Sequence, residues 1–350
     1  MRVDGVYLAG IGSELPPPVG VAEAVRRGWY DAEQARGSGQ AAVRIAGHTP
    51  APDLAVRAAA VALRRSGHGP DDIGAVLHSG TFHQGPDGWS APHYVLRHAV
   101  DRPVTAIEVR QGCLGMIAAL ELAAYRLAAG GGHDAVLLTA GDNFGAPLVD
   151  RWRASQLFVL ADAGAAVVVS RRGGFARVRS FASVSDPHME ELHRGGEPLF
   201  PPGATVGRTL DFERRTAYWR QRWASGAAPP MGNFGDCVAD AADRALADAG
   251  LPWDKVARVC HVGYARGPLQ AMLLDPLGID AALGVWDLTR HIGHAGAADP
   301  FLALERLWLD GAVVPGDHLL LIGATPGMEA GCAVVEITAA WQPEGGPENA

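Results

Sequence analysis

The apolar positions of this chain fall into runs of two periods, and the runs come twice. Residues 54–66 and 237–249 repeat Leu, Val and Ala at three- and four-residue intervals, the spacing of a helix with one buried face. Each run closes on a glycine, Gly67 and Gly250, where a helix end is expected. Each then crosses a short Pro/Asp turn into an apolar strand that ends in His-x-Gly. The counterparts Gly67 and Gly250, and likewise His78 and His261, lie 183 residues apart.

A second pair follows in the same order. "TAIEVRQGCLGMIAALELAAYRLAAGG" begins at Thr105 and "WDLTRHIGHAGAADPFLALERLWLDGA" at Trp286, which sets Gly112 against Gly293, Cys113 against His294 and Gly130 against Gly311. The apolar strands "HDAVLLTAG" and "GDHLLLIGA" come next, and then "GAAVVV" from Gly164 and "GCAVVE" from Gly331. The helices that follow Cys113 and His294 are apolar nearly all round, so they are expected to be buried between sheets. Alternating helices and apolar strands make each half an α/β unit, 1–173 and 174–350. The period is far too long for a solenoid. Residues 185–235 have no counterpart in the first half and are expected to form a cap-like insertion. At the start of the chain, Val3 to Ala9 reads as a strand, and "AGIGSE", which lacks the third glycine of a dinucleotide loop, reads as its end.

Composition narrows the function classes. The chain has 350 residues, 48% of them hydrophobic, with a net charge of −8, and Lys255 is its only lysine. No basic cluster suggests nucleic acid or an anionic membrane as partner. No run reaches the roughly 18 apolar residues of a membrane helix. The N-terminus lacks a signal-peptide pattern, and a cytoplasmic protein is expected. Cys113, Cys237, Cys260 and Cys332 lack metal-site spacing, and free thiols are expected. His291 and His294 have no third ligand at helical spacing, so no metal is expected.

The chemistry points to Cys113. It lies between Gly112 and Leu114–Gly115 just before a buried helix, where unpaired N–H groups stabilise a thiolate. The glycines leave room for a substrate close to the backbone. A twofold relation between the halves would bring His294 towards it, as base or charge partner. His78 reads as structural, and residues 81–98 as a pocket lining, a dimer interface or ordinary packing.

"IEVRQGCLGMIAALELA" resembles the nucleophile segment of ketoacyl-ACP synthase III, in the thiolase-like family. "LADAGAAVVVS", with Asp162 and Gly164, resembles the family's Gly-Asp-Gly-Ala-x-Ala stretch, and "GAVVPGDHLLLIGATPGMEAGCAVVEI" its C-terminal strand–loop–strand. The resemblance implies a five-layered α-β-α-β-α fold built from two duplicated halves, and a homodimer. It implies Cys113 as acyl-accepting nucleophile and an oxyanion hole from the N–H groups of Cys113 and Gly327.

The departures from the family pattern bear on function. The family's His-Gln-Ala-Asn motif is reduced to "HVGYA", which keeps His261. Its Gly-Asn-Thr-Ser-Ala-Ala-Ser motif reads "GHAGAADP", so His294 stands for Asn and Asp299 for the last Ser. The glycines before Gly327 are replaced by Thr325–Pro326. The coenzyme-A-holding Trp/Arg-Thr-Gly-Ile motif is absent between Tyr30 and Gly47, which favours an acyl-carrier-protein thioester over free acyl-CoA as donor. Arg214, Arg215, Arg220 and Arg222 are available to meet an acidic carrier or to form a solvated face.

A carboxylate five residues after His294, about one and a half helical turns on, can orient an imidazole as in an acyl-transfer triad. The set Cys113, His294 and Asp299 resembles the ketosynthase III-like acyltransferases of antibiotic biosynthesis. These move an acyl group to a hydroxyl or another small-molecule acceptor, with no cofactor beyond the thioester donor. The competing expectations are a decarboxylating condensing enzyme that uses His261 with His294, and a non-catalytic ketosynthase-like partner subunit.

Overall fold

The computed structural model describes residues 1–130, 132–227, 234–325 and 329–343. Nine strands form one sheet among these residues: β1 (Tyr7–Glu14), β2 (Ile73–Ser79), β3 (Thr105–Val109), β4 (Ala135–Asp142), β5 (Ala163–Ser170), β6 (Ala176–Ser185), β7 (Val256–Cys260), β8 (His318–Thr325) and β9 (Glu329–Ile337). The order across the sheet is β3-β2-β4-β5-β1-β6-β9-β8-β7. It is a mirrored list about the β1/β6 pair: β1, β5, β4 and β2 on one side match β6, β9, β8 and β7 on the other. β1 and β6, the strands at which the halves join in the sheet, share two register pairs, Tyr7 with Arg177 and Leu8 with Ala176.

Five helices of more than ten residues occur among the described residues: α1 (Ala51–Ser66), α2 (Gly115–Ala128), α3 (Phe212–Ala224), α4 (Phe234–Ala249) and α5 (Asp299–Leu309); all but α3, which belongs to the 185–235 insertion, pack on the sheet. α1 packs on β1, β5 and β4, and α4 on β6, β9 and β8. α2 and α5 each touch strands of both halves, so they form the middle layer. All eight residues of β4 and of β5 are buried, as continuous apolar strands covered on both faces should be. α1 stops at Gly67 and α4 is followed by Gly250, both in the left-handed region, with φ of 67° and 70°.

The N-terminal strand differs from the expectation. It begins at Tyr7 and takes in the whole of "AGIGSE". Gly5, at φ 68°, breaks the earlier run, and Val3 bonds singly to the carbonyl of Arg179. Gly10 and Gly12 are there for clearance: a Cβ would sit 2.2 Å from the carbonyl oxygen of Ala62, or 2.6 Å from that of Ala58, on α1.

One buried ion pair ties the loops around the centre. The Arg151 guanidinium donates to both Asp162 oxygens at 2.8 and 3.0 Å. Asp162 also accepts the N–H groups of Ala46 at 2.7 Å and Phe144 at 2.8 Å. Its bidentate geometry satisfies the guanidinium and the carboxylate together. Asp162→Ala leaves Arg151 buried without its counter-charge, and is expected to cost about 3–5 kcal/mol of stability in chemical denaturation; a loss below about 1 kcal/mol, the scale of an exposed pair, would contradict this role.

Candidate active site

Cys113 lies in a 3₁₀ turn, Gly112–Leu114, that runs straight into α2. The turn is held from below. Gly323 on β8 and Gly331 on β9 are register partners, and together they leave a hollow for the Leu114 side chain. A Cβ at Gly331 would stand 2.7 Å from Leu114 Cδ1. On the near side, the Thr325 hydroxyl donates to the carbonyl of Gln111 at 3.0 Å.

His294 is not on a helix. Its backbone lies beside residues 159–161: its N–H donates to the Val159 carbonyl at 2.8 Å, and its carbonyl accepts from Ala161 N–H at 2.8 Å. Gly293 and Gly296, with φ of 91° and 62°, turn the chain sharply on either side. That fold-back corrects the expected helical spacing, because Asp299 is the first residue of α5 and its carboxylate points back at His294.

The three side chains form a continuous line. Cys113 Sγ is 2.9 Å from His294 Nε2, and His294 Nδ1–H donates to Asp299 Oδ2 at 2.6 Å. His294 is 1% exposed and Asp299 2%. Burial by itself would depress the imidazole; the facing Cys113 and Asp299 outweigh it and hold His294 well above the ordinary histidine range. Asp299 accepts two further bonds, from Gly263 N–H at 2.7 Å to Oδ2 and from Ala295 N–H at 2.8 Å to Oδ1. The Phe158 ring lies 4.7 Å from the imidazole, centroid to centroid, and restricts its rotation.

His261 makes no hydrogen bond to Cys113. Its Nδ1–H donates to the Val262 carbonyl at 2.8 Å, and its Nε2 accepts Val285 N–H at 3.0 Å. Both nitrogens are therefore committed to the backbone, and burial lowers the proton affinity of the ring. His261 thus has no free N–H to offer a carbonyl. Gly327 lies outside the described residues. His291 is exposed while His294 is buried, and no cluster of three metal-binding side chains occurs among the described residues. The four cysteines are free and buried. His78 bonds Thr139 and Gln84 at 2.9 and 3.1 Å, and burial lowers it to about 4.

Cys113 and His294 open on a cavity of about 330 Å³. Its floor is Phe82, Phe144, Phe158 and Leu160, and its outer wall is His193, Leu210, Phe212 and Arg215 from the 185–235 insertion. Arg214 and Arg215 both donate to Glu197, at 2.8 and 3.2 Å. Sequence reasoning missed Asp142, which accepts the N–H groups of Thr81 and Phe82 at 2.9 and 3.0 Å and so sets one wall; burial pushes its carboxyl up to about 7. It also missed Gly263 and Ala295, which act through main-chain N–H groups that leave no side-chain signature.

A buried thiol facing an Asp-anchored imidazole, at the junction of two mirrored α/β halves, defines a thiolase-fold enzyme site. The comparisons agree. Residues 107–187 match the family model 3-Oxoacyl-[acyl-carrier-protein (ACP)] synthase III, and residues 246–337 its C-terminal model. The beta-ketoacyl-[acyl-carrier-protein] synthase III 3 of Streptomyces coelicolor is 28% identical over 292 residues, 81% of this chain and 82% of that protein. The mycobacterial beta-ketoacyl-[acyl-carrier-protein] synthase III of Mycobacterium tuberculosis is 27% identical over 288 residues, 82% of this chain and 81% of its own. Among solved structures, the acyltransferase ChlB3 superposes with a TM-score of 0.90 at 37% identity, covering 96% of this chain and 98% of that one. Xanthomonas campestris OleA, at 20% identity and a TM-score of 0.73, covering 95% and 98%, shares the fold. The chain belongs to the ketoacyl-ACP synthase III-like family of the thiolase superfamily.

The geometry gives His294 a measurable signature. In NMR of histidine-labelled protein, its ring is expected to titrate above the ordinary value of about 6.5. Cys113→Ala removes one of the two groups that raise it, so the midpoint should fall. An unshifted midpoint in that variant would contradict the coupling.

Proposed function

We propose that this protein is an acyltransferase that carries its acyl group on Cys113 and passes it to an oxygen or other heteroatom nucleophile. The observation that carries the reading is the contrast between two histidines. His294 is joined to the thiol and anchored by a carboxylate, whereas His261 has both nitrogens bonded to the backbone. Acyl transfer requires one base that moves a proton. Decarboxylative condensation requires donors that hold an enolate oxygen, and His261 has none free.

The steps follow from the line of contacts. The Cys113 thiolate attacks the donor thioester carbonyl; the carbonyl carbon's bond to the pantetheine sulfur breaks, and the departing sulfur takes the His294 proton. Nε2 is then neutral beside an acyl-Cys113. The acceptor's hydroxyl gives its proton to Nε2 as its oxygen attacks the carbonyl, and the bond from carbon to Cys113 sulfur breaks. Thiolate and imidazolium are thereby restored. Asp299 keeps Nδ1 protonated, so that Nε2 is the nitrogen that exchanges the proton, and it stabilises the imidazolium. The N–H groups of Cys113 and Gly327 are the donors we assign to the oxyanion. No redox step occurs, and no cofactor beyond the thioester is called for.

The donor in this reading is an acyl carrier protein and the acceptor a small molecule of secondary metabolism. ChlB3, similar to this chain over nearly its whole length, is described as an acyltransferase, which supports the reading. The protein acts as a homodimer: β3 ends the sheet with an open edge and Ile107 is 43% exposed, beside Leu122 and Tyr125 of α2 at 47% and 49%. An unpaired apolar edge of this kind is one that soluble proteins cover. Sedimentation should give a dimer that Ile107→Lys weakens; a monomeric wild type would refute it.

Two experiments test the function. Intact-mass spectrometry after incubation with acyl thioesters should show one acyl adduct, absent in Cys113→Ala; an undiminished adduct in that variant overturns the assignment. In single-turnover transfer, Asp299→Asn should slow delivery to the acceptor by up to ~10⁴, the loss seen when a catalytic imidazole is held in the wrong tautomer. His261→Ala should be milder. If His261→Ala alone stops turnover and CO₂ is released from a malonyl donor, the enzyme is a condensing enzyme instead.

A further inference from the structure

We infer that Gly263 is a positioning residue of this site, acting through its main-chain N–H on Asp299 and its missing side chain against Gly293. Asp299 Oδ2 receives two donors, His294 Nδ1–H at 2.6 Å and Gly263 N–H at 2.7 Å. The second donor fixes the oxygen that fixes the imidazole. The glycine is required for clearance and not for backbone freedom, because its φ is outside the left-handed region. A Cβ there would stand 2.3 Å from the Gly293 carbonyl oxygen, 2.9 Å from its carbon and 3.1 Å from His294 Cα. These are backbone atoms held in place by the pairing of His294 with residues 159–161 and by the bond from Gly293 N–H to the Thr289 carbonyl, so they cannot step aside as a side-chain tip would. Any residue but glycine at 263 must move the 261–265 segment away and pull its N–H off the carboxylate.

As a role in catalysis this rests on the acyl-transfer reading, whereas its effect on His294 is measurable without any acyl donor. The groups that bear on His294 are Cys113 from the turn before α2, Asp299 from the start of α5 and Asp142 from the end of β4. His261 and Tyr264, on the same segment as Gly263, face Asp299.

The test is a double-mutant cycle on the full-length protein. Gly263→Ala is made alone and together with Asp299→Asn, and each is read by the His294 NMR titration and by single-turnover transfer from acyl-Cys113. A hydrogen bond to a charged acceptor is worth about tenfold or more in an equilibrium or rate. Gly263→Ala is therefore expected to lower the His294 midpoint and slow transfer by about that factor. In the Asp299→Asn background it should add little to either, since the two changes break one interaction. A loss of equal size in both backgrounds, with an unmoved midpoint in Gly263→Ala, overturns the inference. A purely structural glycine would lower thermal stability and leave the midpoint alone. If the alanine variant does not fold, glycolic acid at position 263 deletes only the N–H and adds no bulk. The ester should reproduce the lowered midpoint, and an unchanged midpoint there overturns the inference equally. Should wild-type Cys113 take no acyl group, the function reading fails, while the midpoint comparison still decides the role of Gly263.

Discussion

The carboxylate of Asp299 is the point on which the site depends. It is almost fully buried, and it collects three donors from two stretches of chain: His294 Nδ1–H and Ala295 N–H from one, Gly263 N–H from the other. A buried carboxylate with fewer donors would lose more in desolvation than it regained. With all three it is a fixed negative charge beneath the imidazole. That charge, with the thiol on the opposite side, keeps a proton on a histidine that burial would otherwise strip. Everything that shapes the surrounding backbone serves this meeting: the glycine turns at 293 and 296, the pairing with 159–161, and the Leu114 hollow that seats the cysteine.

The duplicated fold explains why such a meeting is available. α2 and α5 are the only long helices that touch both halves of the sheet among the described residues, and each begins where its half faces the other. Cys113 and His294 are equivalent positions just ahead of those helices, so the pseudo-twofold that builds the core also brings thiol and imidazole together. The insertion at 185–235 has no such counterpart. It walls the cavity with His193, Leu210, Phe212 and Arg215, and so the symmetric frame supplies the chemistry while the asymmetric segment shapes what can enter.

Much of this was legible in the sequence. The helix-closing glycines, the doubled apolar strands and the equivalence of Cys113 with His294 follow from spacing alone, because periodicity records which face is buried. The relation of His294 to Asp299 was legible only as a pairing of residue types. Helical spacing fits that contact imperfectly and leaves it to the backbone at Ala295–Ala297, and nothing in "GHAGAAD" announces that Gly293 and Gly296 take left-handed conformations. The fate of His261 was hidden for a similar reason: a histidine bonded to Val262 and Val285 backbone groups looks, in sequence, the same as one poised over a substrate. "AGIGSE" carried the opposite lesson. Its glycines serve strand–helix contact against Ala58 and Ala62, a long-range clearance that no local pattern encodes.

The central claim is that the acyl carbonyl passes through Cys113 and leaves on a heteroatom, with no carbon–carbon bond made. It is tested most directly by following a donor thioester labelled with ¹³C at the carbonyl, by NMR, through a full turnover with acceptor present. The account predicts a thioester on the carrier, then a thioester on Cys113, then an ester or amide carbonyl in the product, with no CO₂ formed. A labelled ketone accompanied by CO₂ from a malonyl co-substrate, or a product ester formed with no Cys113 thioester on its path, would contradict it.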